Sequence, residues 1–324
     1  MKKFYKNTQA SKGVQPYWGL KDIPDLTNKV FVITGAASSQ GSLITEAIYA
    51  NNGSVILADS HRQSAYDLIQ KLRRQVVSRG ILQYRQLDLN DPASIQSFAI
   101  DLQNEIVQLD VLINNANTTR TPRREENSDG IEAHFQKNFL GHFMLTNLLI
   151  PLLQMAPDPR IVNISAPLPG FANIKFNDLQ LEHAYSNSRA YFQSKLAVQM
   201  ATFYLQSISH AQGLGLKVMT THSGISKKSL LSTPASAIVA IQALANPLLG
   251  SVHTGILPTL FAATDPNAQG GKLYAPSGLL HLQGRPKITR PIAKALDEDA
   301  QSQLWVAASE LAGFSSWAAM AHSF

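Results

Sequence analysis

Short β-branched runs alternate along the chain with longer stretches in which apolar residues recur every three or four positions. The short runs predict strands over 30–34, 54–58, 82–87, 111–114, 160–165, 216–221 and 272–275. The longer stretches predict helices over 39–50, 65–79, 92–107, 130–153 and 188–206, and none repeats another. Alternation of this kind builds βαβ units. The expected architecture is therefore an α/β, doubly wound, Rossmann-like sheet of seven mainly parallel strands in one domain. Residues 1–28 read as an N-terminal arm and 29–324 as the domain, with 277–324 as a C-terminal covering arm. Within that arm 277–290 is rich in Gly, Pro and basic residues, and 293–311 resumes a helical pattern. The irregular stretch 223–234 is the candidate substrate lid.

Composition narrows the chemistry. With 44% apolar and 15% charged residues the chain can bury a sizeable core. It has no cysteine, which removes disulfides, thiolate catalysis and cysteine metal sites, and its nine histidines form no metal-binding motif. The net charge of +6 is scattered, so no nucleic-acid partner is expected. The first 28 residues carry five lysines, among them Lys2, Lys3, Lys6 and Lys12, but no apolar run fit for a signal peptide or membrane span. A cytoplasmic location is the default expectation.

The first predicted strand runs through Thr34 into Gly35, Ser38, Ser39, Gln40 and Gly41 and then a helix, which would aim backbone N–H groups at a pyrophosphate. Such a turn by itself is often only a tight turn. Asp59 ends the second strand 24 residues after Gly35, where a carboxylate can accept from an adenosine ribose hydroxyl and would repel a 2′-phosphate. That favours NAD; Arg62 nearby leaves NADP open, and Asp59 could equally cap the following helix. Asp88 and Leu89, and Asn115 and Ala116, follow the third and fourth strands where adenine and ribose would lie. Asn138 and His142 share an otherwise apolar helical stripe, and His142 reads as a satisfied core or interface histidine. Tyr191 and Lys195 stand one helical turn apart on one face, so the ammonium can favour the phenolate.

Taken in order, 34–41, Asp59, Asp88, 114–116, Asn138, 161–165 and 191–195 resemble the short-chain dehydrogenase/reductase superfamily. The likeness runs over about residues 18–313 and looks closest to its retinol-dehydrogenase-like branch and bacterial relatives. It implies an NAD(P)-dependent oxidoreductase interconverting an alcohol and a carbonyl, with a small lipophilic substrate. Tyr191 would be the acid/base, Lys195 its partner and ribose clamp, and Asn138 part of a proton relay. It also implies a homodimer pairing through the helices that carry Asn138 and Tyr191. The sequence departs from the pattern where a second serine is expected: Ser165 is followed by Ala166, 25 positions before Tyr191. Ser165 is kept as a catalytic candidate in case the strand ends early. Ser39 and Asn117 replace glycines, and Ser223 precedes Gly224 where proline is usual. The alternative is a non-catalytic sensor or scaffold that holds the dinucleotide.

Overall fold

The central strand β1 (Val30–Thr34) buries four of its five residues because helices cover both its faces. The computed structural model describes residues 18–118, 121, 123–168, 170–183, 185–224, 252–278 and 284–314. Beside β1 lie β2 (Ser54–Asp59), β3 (Leu82–Gln86), β4 (Val111–Asn114), β5 (Arg160–Ile164), β6 (Lys217–Thr221), β7 (Leu273–Pro276) and β8 (Pro286–Thr289). Their order is β3-β2-β1-β4-β5-β6-β7-β8, all parallel except the β7–β8 pair. The order reverses between β1 and β4, and the crevice at the carboxyl ends of those strands is where a doubly wound sheet offers a binding site.

The helices are α1 (Ser39–Ala50), α2 (Arg62–Gln75), α3 (Pro92–Glu105), α4 (Gly141–Gln154), α5 (Asn187–Gln212), α6 (Leu257–Thr264) and α7 (Glu298–Leu311). One core lies between the sheet and α3, α4, α5 and α7, around Phe98, Leu145, Phe203 and Trp305. The other lies under α1, α2 and α6, around Ile48, Leu68 and Phe261. Of the arm read at 1–28, Trp18, Ile23 and Leu26 are buried in this second core, with the Trp18 ring edge-on to Phe261 at 5.3 Å. Among the described residues no helix is long and apolar enough to cross a membrane.

Two expectations are corrected. The sheet has eight strands, because β8 pairs antiparallel with β7 through four residues of the stretch read as a covering arm. An edge strand this short, opened by Pro286, has no alternation to betray it. The helix expected over 130–153 starts later: the Asn127 side chain accepts from Asp129 N and Ile131 N, both at 3.0 Å, and Gly130 takes φ 77°. That local turn outcompetes the helix. The helical path then opens as a wide π turn, Phe135–Leu140, before α4. The lid read at 223–234 lies outside the described residues beyond Gly224.

Candidate active site

The loops after β1 and β4 are stitched together at the switch point. Thr34 Oγ1 accepts from Asn115 N and Ala116 N, both at 2.9 Å, and Asn115 Nδ2 donates to the carbonyls of Thr34 (2.8 Å) and Gly35 (3.0 Å). Gly35 takes φ +60°, and a Cβ there would lie 3.0 Å from Ala116 Cα; at Gly41 a Cβ would stand 2.3 Å from the Gly35 carbonyl. Both glycines are therefore demanded by close approach of backbone. Ser38 caps α1 by accepting from Gly41 N at 3.1 Å.

A cleft of about 240 Å³ opens above these turns, lined by Gly35, Ser38, Asp59, Asp88, Leu89 and Ala116 among others. Asp59 is buried, and its two oxygens accept from Ala37 N and His61 N at 3.0 Å each, which fixes the carboxylate at the cleft wall. Arg62 turns away: its guanidinium lies over the Tyr66 ring, 5.4 Å from the centroid. Asp88 holds its own turn by accepting from Asn90 N at 2.9 Å. Asn117 also lines the cleft. Ser39 and Gln40 stand on the first turn of α1, outside the lining; Ser39 is exposed, and Gln40 Nε2 is buried without a hydrogen-bond partner among the described residues. A glycine cradle that any side chain would fill, a helix N-terminus and an orphaned amide donor fit a dinucleotide.

At the neighbouring strand ends the other candidates gather. Asn138, in the π turn, donates to Thr118 O (3.1 Å) and Ser194 Oγ (2.9 Å) and accepts from Thr118 N (2.7 Å). Asn138 is thereby locked between the loop after β4 and the helix that carries Tyr191. Its main-chain carbonyl accepts from His142 Nδ1 at 3.2 Å. The other ring nitrogen, Nε2, accepts from Thr34 Oγ1 at 2.8 Å, since that hydroxyl already takes two N–H groups and has only its proton left to give. Burial holds His142 down at about 3, so it is neutral with one defined tautomer, the satisfied core histidine expected.

Lys195 is fully buried on α5 and donates through Nζ to Ile164 O at 3.0 Å; burial lowers its pKa to about 7. The Tyr191 phenol is pushed up to about 12 by burial. Its hydroxyl makes no hydrogen bond among the described residues. β5 ends at Ile164, just before Ser165, yet the Ser165 hydroxyl donates to Lys195 O at 2.8 Å and accepts from Gln199 Nε2 at 3.3 Å. Ser165 thus faces α5, and a buried methyl group stands at Ala166.

Sequence reasoning passed over Glu132 and His134, which are buried beside Tyr191. Their signal was a charged residue and a histidine two apart just ahead of an apolar stripe. Among the described residues no group of three His, Asp or Glu gathers to hold a metal.

Comparison with known proteins follows the same lines. Residues 29–232 match the model of the short chain dehydrogenase family. Polyprenol dehydrogenase of Danio rerio is 29% identical over 300 residues, covering 91% of this chain and 90% of that protein. Retinol dehydrogenase 14 of Mus musculus is 31% identical over 296 residues, covering 86% and 84%. The crystal structure of an uncharacterised protein from Mycobacterium paratuberculosis superposes with a TM-score of 0.75 at 29% identity, covering 91% of this chain and 97% of that one. Fold, dinucleotide cleft and matched residues agree: the chain belongs to the short-chain dehydrogenase family, NAD(P)-binding oxidoreductases acting on CH–OH groups, in its retinol-dehydrogenase-like branch.

Proposed function

We propose that this chain is an NAD-preferring oxidoreductase that interconverts a lipophilic alcohol and its carbonyl, with Tyr191 as the general acid/base. The observation that carries this reading is the Tyr191 hydroxyl, free of any hydrogen bond among the described residues, one helical turn from buried Lys195, whose amine is bonded to Ile164 O at the carboxyl end of β5. The preference for NAD rests on the Asp59 carboxylate fixed in the cleft wall and on Arg62 engaged with Tyr66 outside it. A lipophilic substrate is suggested by the polyprenol and retinol dehydrogenases to which the chain is similar.

The bound dinucleotide supplies the hydride donor or acceptor. The residues supply proton transfer and orientation. As a carbonyl is reduced, Tyr191 gives its proton to the oxygen; in the reverse direction it takes the proton back. By itself the phenol resists ionisation, with a pKa of about 12, and the buried amine resists protonation, at about 7. Each charge offsets the cost of the other when the two form together, so the pair exchanges protons more readily than either group alone. Lys195 donates one N–H to Ile164 O, and an ammonium has two more N–H donors for the ribose edge of a bound dinucleotide. Asn138 keeps the α5 turn with Ser194 in register with the loop after β4. Ser165 contributes by tying β5 to α5 at Lys195, and the substrate oxygen lacks the hydroxyl that Ala166 does not provide.

The test is turnover of NADH with a panel of aldehydes and ketones that includes retinal. The expected result is oxidation by the natural protein and a loss of about 10²–10⁴-fold in Tyr191→Phe, with NADH binding unchanged. Full turnover by Tyr191→Phe would remove the assignment. The Ala166 methyl group favours a second reading, a protein that binds the dinucleotide as a sensor or scaffold; saturable NADH binding with no turnover of any carbonyl would select it.

A further inference from the structure

The Tyr191 hydroxyl makes no hydrogen bond among the described residues, so among them its ring is held by packing. Two rings pack on it. Phe192, its chain neighbour, lies at 5.5 Å and 63°, is half-buried, and leans on Phe171, which is 75% exposed. His134 lies edge-on at 6.2 Å and 78° and is wholly buried. Of the two, His134 is the one held by the surrounding structure.

What holds it is Glu132, a carboxylate only 1% exposed. Its Oε1 accepts from His134 Nδ1 at 2.9 Å and from His134 N at 3.0 Å, and its Oε2 accepts from Phe135 N at 2.8 Å. Thr121 Oγ1 lies 3.0 Å from the same Nδ1, while Thr121 N donates to Asn187 Oδ1 at 2.7 Å on the first residue of α5. The imidazole is thus fixed to the start of the π turn and, through Thr121, to the start of the helix bearing Tyr191. His134 Nε2 has no hydrogen-bond partner among the described residues. Capping the helix start explains Glu132 but not a buried histidine between it and the phenol. A buried carboxylate and imidazole are costly groups to place where an apolar pair would serve packing alone.

We propose that the Glu132–His134 pair is a positioning device for Tyr191: the carboxylate fixes the imidazole, and the imidazole fixes the phenol ring in the direction from which its hydroxyl meets the substrate oxygen. This rests on the reading of Tyr191 as acid/base. It matters more here because Ala166 leaves the substrate oxygen one fixed partner short, so alignment falls on Tyr191.

The experiment combines tyrosine ¹³Cζ NMR with steady-state kinetics, using Tyr191→Phe to assign the Tyr191 signal. The natural protein is expected to give one narrow Tyr191 resonance. In His134→Ala that resonance shifts and broadens, kcat falls about 10²-fold as expected for a misplaced reacting group, and KM and NADH affinity hold. Added imidazole restores both the signal and kcat, which a general packing defect would not allow. If His134→Ala does not fold, Glu132→Gln, which keeps the shape but replaces one of the two acceptor oxygens with an NH2 donor and so loosens the hold on the imidazole, is expected to shift and broaden the same resonance. An unmoved Tyr191 resonance in the folded variant overturns the proposal, as does an unchanged kcat. Full turnover by Tyr191→Phe would instead remove the acid/base reading, whatever the His134 variants do.

Discussion

At Ala166 a buried methyl group occupies the position where the family resemblance leads one to expect a hydroxyl. Ser165 does not fill the gap, because its hydroxyl is committed to Lys195 O and Gln199 on the α5 side. Removing one donor to a developing oxyanion costs about 10²–10³ in rate, so restoring it reverses that loss. Ala166→Ser is expected to raise kcat toward that extent with little change in NADH affinity, measured by NADH oxidation with an active carbonyl; an unchanged kcat would show that the site has been rebuilt around the methyl group. Helical spacing put Tyr191 and Lys195 on one face and Asn138 in an apolar stripe, but their proposed roles came from the family resemblance, since a Tyr four residues before a Lys is weak alone. His134 was not legible, because a histidine acquires meaning only from a buried partner two residues away and a ring from another helix.

Among the elements, β1, the π turn and α4 meet at His142. Its neutral ring accepts a hydrogen bond from Thr34 Oγ1 and donates one to Asn138 O, so the dinucleotide turn and the Asn138 turn share one hydrogen-bond path. Burial lowers the His142 pKa from 6.5 to about 3, so between those values the unfolded chain binds a proton that the folded protein refuses. Folding stability therefore rises with pH across that window, by about 1.4 kcal/mol per pH unit from this group, and the contribution is fully regained above 6.5. Urea unfolding from pH 4.5 to 7 should show a shallower pH slope in His142→Gln than in the natural protein. Parallel slopes would contradict the assignment of a neutral buried ring.

At the same scale the sequence read well where one pattern acts alone. α1 lies at 39–50 as expected, because Ser38 caps it and the apolar period is unbroken. It read poorly where a side chain or a partner strand decides. Asn127 captures two backbone N–H groups and delays the helix expected from residue 130, and β8 exists only because β7 offers an edge.

In the whole molecule, α7 closes the outer face of α4 and α5. Its Trp305 is buried with ring contacts to Phe143 on α4 (4.8 Å) and Tyr204 on α5 (5.3 Å). That is the face through which the resemblance implied a homodimer, and here the chain covers it with its own helix. Sedimentation of the natural protein is expected to show a single chain; a dimer would contradict this. Truncating Trp305 should cost about 3–5 kcal/mol of stability, as for other buried aromatic residues cut to alanine. A helical pattern at the chain end was legible from the sequence, but its docking partner was not, since nothing in an amphipathic period names the surface that it covers.

The proposed activity is a dinucleotide-dependent proton and hydride exchange that survives Ala166. Titrating the protein separately with NADH and NADPH by cofactor fluorescence, then adding aldehydes and ketones to the complex, tests this most directly. Tighter binding of NADH than of NADPH, followed by loss of NADH fluorescence with at least one lipophilic carbonyl, is the predicted result. Binding of neither dinucleotide, or a stable NADH complex that no carbonyl discharges, would contradict it.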